Sequence, residues 1–89
     1  MRFTKLTTTA ITPTRGTPGA AGLDLYADQD AFIVDYASIM VGTGIAVEVP
    51  EGYVGLLFLR SSMGKTGVSL TNSVGVIDSD YRGDRRAHV

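Results

Sequence analysis

Val74-Gly75-Val76-Ile77-Asp78-Ser79-Asp80-Tyr81-Arg82-Gly83 decides how this 89-residue chain is read. Val74 to Ile77 is small and β-branched, the composition of a strand. Asp78 follows where the chain leaves the sheet. A carboxylate there, partly desolvated by Val76 and Ile77, can accept a proton from water. Tyr81, three residues on, can present its ring to a flat or sugar-like ligand face. The same letters also describe a plain turn, because Asp and Ser are favoured turn residues. The stretch alone leaves both readings open.

Working outward, Thr71-Asn72-Ser73 predicts a tight turn joining Val68–Leu70 to Val74–Ile77 as a hairpin. Tyr53–Leu59 is almost continuously apolar and predicts a strand buried on both faces. Pro50-Glu51-Gly52 is a turn signal that stops the strand begun by Ile45–Val49. Phe3–Leu6, Ala31–Tyr36 and Ile39–Val41 read as further strands, and Leu23–Tyr26 as a short extended piece. Thr7–Gly22, rich in Thr, Pro and Gly, is a long irregular connection of the kind that often carries function. Gly64–Gly67 reads as a glycine-bounded loop. No helical stripe is sustained anywhere. Short strands divided by turn signals indicate an all-β sandwich, jelly roll or barrel. No repeat or linker divides residues 1–89, so one domain is expected.

Composition removes several function classes. Apolar residues make up 44% of the chain and the net charge is −1, which excludes a disordered or highly charged arm. There is no cysteine and one histidine, His88, so disulfides, thiolate chemistry and a histidine-based metal site drop out. No apolar run approaches the ~18 residues of a membrane span. The N-terminus lacks the apolar core of a secretory signal, and a cytoplasmic setting is expected. A domain this short buries only about 60–65% of its unfolded surface, so a lone monomer is expected to be marginal. Charge is uneven. Residues 1–59 carry net −3 and residues 60–89 net +2. That mild bias suits a phosphorylated small molecule better than a nucleic-acid footprint, which needs many more cations.

Three pattern matches fail on context. Gly64-Lys65-Thr66 lacks the first glycine of a P-loop, since that position is Leu59. Gly42-Thr43-Gly44 lacks the third glycine of a dinucleotide fingerprint, which would fall at Val47. Arg82-Gly83-Asp84 is three common residues with no sign of secretion around them. Arg60-Ser61-Ser62-Met63-Gly64 carries more. Arg60 follows the apolar run directly, so a strand end aims it. Its fork suits phosphate oxygens, and two hydroxyls stand beside it. A solvated loop remains the competing reading. Asp24, between Leu23 and Leu25, points away from them if extended. It is then an anchor for the preceding loop or an indirect ligand of a hard cation through water.

Taken in order, these clusters resemble the trimeric dUTPase family. Ala21-Gly22-Leu23-Asp24-Leu25 is similar to its first motif and Arg60-Ser61-Ser62-Met63-Gly64 to its second. Asn72 with Gly75 to Gly83 is similar to its third, nearly letter for letter. Thr43-Gly44-Ile45 and Pro50-Glu51-Gly52-Tyr53 also sit as in that family. The resemblance runs from about Phe3 to Gly83. It implies an all-β jelly roll (β-clip) assembled as a homotrimer with sites shared between subunits. It implies hydrolysis of dUTP to dUMP and diphosphate, assisted by Mg²⁺. Asp78 would activate water for attack on the α-phosphorus. Arg60, Ser61 and Ser62 would hold phosphates. Asn72 and the backbone around Val76 and Ile77 would read the uracil edge. Tyr81 would pack under the deoxyribose and exclude a 2′-hydroxyl. Asp24 would lie near the metal's water shell or order its loop. Physical chemistry agrees with this division of labour. One Arg is too little charge for a triphosphate without magnesium. A hairpin bonded to uracil rejects cytosine by leaving a donor unpaired.

The family continues beyond Tyr81-Arg82-Gly83 into further strands and a glycine-rich arm. Asp84–Val89 is polar where a strand should continue. The chain is therefore expected to be truncated, with a fold incomplete at its C-terminus. Two alternatives stand beside hydrolysis. One is a dUTPase-fold module that binds a partner under nucleotide control with little activity. The other is the related dCTP deaminase, against which Tyr81 argues. Leu59 stands where the family often has proline.

Overall fold

Residues 2–33 and 37–89 are described by the computed structural model. Their strands are β1 (Arg2–Lys5), β2 (Met40–Gly42), β3 (Ile45–Glu48), β4 (Gly55–Leu57), β5 (Gly75–Ile77) and β6 (Arg86–His88). A 3₁₀ helix spans Ser61–Thr66. The strands pair as three antiparallel ribbons: β1 with β3, β2 with β6, and β4 with β5. This is the all-β architecture expected from the sequence.

The organising feature is a corner at Thr43-Gly44. β2 and β3 are two residues apart, yet they do not pair with each other. The chain changes ribbon there instead. Gly44 makes the change with φ +69°, a left-handed conformation open to glycine at little cost. Around it, Leu6 N–H donates to the Gly44 carbonyl at 2.7 Å and Asp28 N–H to the Gly42 carbonyl at 3.1 Å. Thr43 is buried, but its hydroxyl is satisfied. It donates to the Arg85 carbonyl at 2.8 Å and accepts from Ile45 N–H at 3.2 Å. Thr43 N–H donates to the same Arg85 carbonyl, and Arg85 N–H to the Ile45 carbonyl. The final segment thus runs along both arms of the corner, from Ile45 down to Ile39, which exchanges two hydrogen bonds with Val89.

The apolar core is small. Ala10, Ile45, Val49 and Leu70 are its buried members, and Ile45 is fully buried. Glycine permits the close packing of β4 on β5. A Cβ on Gly55 would stand 3.0 Å from the Ile77 Cβ.

Five expectations need correction. The apolar run Tyr53–Leu59 holds only a three-residue strand, with Val54, Leu56 and Phe58 each more than half exposed. Its inward face is half-buried and its outward face is uncovered, because no layer among the described residues packs over that side. Val68–Leu70 is not a strand, although Leu70 is buried. β5 pairs with β4 instead, and the Thr71–Ser73 turn closes on Leu70 through Ser73 N–H. Asp84–Val89 is not a polar tail but contains β6. Backbone pairing with β2 outweighs its composition. The Gly64–Gly67 loop is the end of the 3₁₀ helix, stopped by Gly67 at φ +81°. Leu23–Tyr26 contributes one bridge, Thr14 with Asp24. Of the expected strand Ala31–Tyr36, residues 31–33 are not in a strand and 34–36 lie outside the described residues. No helix among the described residues is long and apolar enough to cross a membrane.

The corner yields a stability test. A Cβ on Gly44 would stand 2.9 Å from the Ala10 Cβ and 3.1 Å from an Asp28 oxygen. Gly52 has φ +86° but open space around it. Gly52→Ala should cost only the backbone term, about 1 kcal/mol. Gly44→Ala should cost at least about 2 kcal/mol, since overpacking adds to that term. Urea unfolding midpoints of the two variants check the difference.

Candidate functional site

The expected site residues fall into two groups. Asp24 and Arg60 form the first. Backbone bonds in both directions with Thr14, at 2.7 and 3.1 Å, fix Asp24 across the long Thr7–Gly22 connection. The Asp24 side chain, 23% exposed, receives Arg60 Nη1 at 2.6 Å from each oxygen. Asp24 therefore anchors the loop through its backbone and Arg60 through its side chain. Arg60 Nε and Nη2 make no hydrogen bond to the described residues. Ser61 and Ser62 follow at once, exposed in the first turn of the 3₁₀ helix.

Asn72, Ile77 and Tyr81 form the second group. They line a cleft of about 460 Å³ together with Leu70 and Arg85. Asn72 lies in the turn before β5, where its carbonyl accepts from Val74 N–H at 2.6 Å. Ser73 takes φ +63° to make that turn. Alternation along β5 sends Ile77 inward and leaves Val76 65% exposed on the outer face. β5 has one strand partner among the described residues, so its other backbone edge is unpaired. Asp78 leaves the end of β5 exposed. Its carbonyl accepts from Tyr81 N–H at 3.1 Å. Its carboxylate takes no hydrogen bond from the described residues.

No side-chain hydrogen bond or ion pair joins the two groups among the described residues. Gly55 pairs with Ile77 and Leu57 with Gly75. Asp78 thus projects from the Gly55 end of the ribbon, and Arg60 lies beyond its Leu57 end. A second cleft, also about 460 Å³, opens beside β4 and is lined mainly by apolar side chains such as Phe3, Leu23, Val49 and Tyr53.

Arg85 was missed by sequence reading. It is 3% exposed. Burial holds its guanidinium below the ordinary arginine range, opposed by the nearby charges of Tyr81 and Asp84. Arg85 directly precedes β6, and nothing in the local sequence marks it as buried, because arginine is ordinarily a surface residue.

A dUTPase family profile matches residues 8–88. The chain belongs to the dUTPase family. The match extends past Gly83, through β6. This dUTPase-family chain is 47% identical over 73 residues to the deoxyuridine 5′-triphosphate nucleotidohydrolase of Nocardia farcinica, covering 81% of the chain and 44% of that relative. It is 46% identical over 87 residues to that of Escherichia phage T5, covering 89% of the chain and 58% of that relative. Among solved structures, a point mutant of the dUTPase of Staphylococcus aureus phage phi11 matches with a TM-score of 0.86 at 29% identity, over 98% of this chain and 56% of that one. That structure is described as containing a structural Mg(II) ion. A phage 80alpha dUTPase mutant matches with a TM-score of 0.91 at 28% identity, over 98% and 52%. The chain spans about half the length of the curated relatives it matches.

The Asp24–Arg60 pair gives a second test. Arg60's side chain is 69% exposed, so Asp24→Asn should change stability by less than about 1 kcal/mol. The backbone bridge to Thr14 should survive. Side-chain ¹⁵Nε relaxation of Arg60 should show increased motion in the variant.

Proposed function

We propose that this chain takes part in the hydrolysis of dUTP to dUMP and diphosphate, through attack of water on the α-phosphorus. The observation that carries this reading is Asp78, which leaves β5 exposed and without a side-chain partner among the described residues, in a chain of the dUTPase family. A carboxylate left free at a strand end is available to orient water and take its proton. Arg60, Ser61 and Ser62 hold phosphate oxygens, and the unspent N–H groups of Arg60 support that role. Asn72 and the backbone of Val76 and Ile77 read uracil, supported by the unpaired edge of β5. Tyr81 packs against the deoxyribose and leaves no room for a 2′-hydroxyl. Similar phage 80alpha structures are described with dUpNHpp bound.

Asp78 and Arg60 leave opposite ends of the β4–β5 ribbon, which supports a site completed between copies of the chain. A homotrimer is the assembly that joins one copy's Asp78 to another's Arg60. The uncovered face of Val54, Leu56, Phe58 and Val76 supports association. We place its work in the cytoplasm, with no nucleic-acid or membrane partner.

Magnesium fits the donor set through the substrate. No group of three or more His, Cys, Asp or Glu side chains that could hold a metal gathers among the described residues. The ion would be held by phosphate oxygens and water, with Asp24 beside its water shell. Bound there, it supplies charge neutralisation on the triphosphate.

One finding favours a second reading, a nucleotide-switched module that binds a partner. A similar phage 80alpha dUTPase is described as controlling transfer of virulence genes.

The purified chain with Mg²⁺ is expected to release diphosphate from dUTP. Asp78→Asn should lower turnover at least about 100-fold while dUpNHpp affinity stays within about twofold. An unchanged rate removes Asp78 from the chemistry. A wild-type chain that binds dUpNHpp but releases no diphosphate favours the partner-binding reading. Tyr81→Ala should raise the use of UTP relative to dUTP, measured as the ratio of kcat/KM values.

A further inference from the structure

Arg85 makes contacts that an aliphatic side chain could not. The described residues offer its guanidinium no carboxylate within ion-pair distance. Carbonyl oxygens take that place. Nη1 donates to Gly83 at 3.0 Å, and Nη2 donates to Val47 and, at 3.5 Å, to Tyr81. The guanidinium carbon lies 4.8 Å from the centroid of the Tyr81 ring, within cation–π range. The far end of that ring is also tied. The Tyr81 hydroxyl donates to the Asp84 carbonyl at 3.1 Å. Gly83 has no side chain, and a Cβ there would overlap the phenol. The ring is thus held by its face, its hydroxyl and the backbone on either side.

Burying a guanidinium is costly, and apolar replacements of buried charges are often neutral or stabilising. Filling space does not account for an arginine here. What a cation adds is a simultaneous grip on three carbonyls and one aromatic face. The ring so gripped lines the cleft shared with Asn72 and Ile77.

We propose that Arg85 is a positioning residue that sets sugar selectivity by fixing the orientation of the Tyr81 ring. The inference rests on Tyr81 being the sugar-facing residue. Arg85 acts through that ring and needs no contact with substrate.

The test uses the full chain carrying Arg85→Leu or Arg85→Lys. Two quantities are read: the ¹³C ring resonances of Tyr81 without ligand, and the affinity ratio for dUpNHpp over its ribose counterpart. Arg85→Leu should move the Tyr81 resonances towards exposed values and reduce the ratio about tenfold, with unchanged far-UV circular dichroism. Arg85→Lys keeps the charge but loses the fork, so it should fall between Leu and wild type. If Arg85→Leu does not fold, the Lys variant alone decides. Unmoved Tyr81 resonances in a folded variant, or a wild-type ratio, overturn the proposal. A wild type that does not distinguish the two nucleotides refutes sugar reading by Tyr81, and with it the selectivity claim. The ring resonances then still report whether Arg85 holds Tyr81.

Discussion

A single left-handed residue carries the fold. Gly44 lets the chain change ribbon between β2 and β3 instead of folding back as a hairpin. Each other feature of that region depends on the turn it makes. The first strand docks through Leu6, the long connection returns through Asp28, and the last segment lies along both arms. Thr43 completes the corner by giving a buried hydroxyl two partners. With so few buried apolar side chains, backbone and hydroxyl pairing take a large share of specifying the arrangement.

How much of this was legible depends on what each signal measures. Ile45–Val49 and Val74–Ile77 were readable because β-branched runs bounded by turn residues leave few alternatives. The run Tyr53–Leu59 misled, because an apolar stretch records hydrophobicity and says nothing about which layer covers it. The end of the chain misled in the opposite sense. Its polar letters hid a strand whose partner lies far upstream, at Met40–Gly42. Asp24 and Arg60 were each singled out, but not as a pair. They are 36 positions apart, and no local pattern links them. Arg85 was invisible because arginine is ordinarily a surface residue.

The two groups of site residues obey different physics. Asp24 and Arg60 are an exposed ion pair on a connection, screened by water and easily rearranged. Tyr81 and its surroundings are fixed by short backbone contacts and a buried cation. Discrimination between ligands calls for rigid groups, whereas holding a mobile polyanion calls for long, adaptable ones. In the proposed site, the more tightly bonded group would face the sugar and the exposed ion pair the phosphates.

The β4–β5 ribbon joins these regions by hydrogen bonds across only three residue pairs. Asp78 leaves one end of it and Arg60 follows the other. The spacing between that carboxylate and that guanidinium is therefore set by strand register. A slip of one residue would turn every side chain of β5 to the opposite face and displace Asp78 along the ribbon.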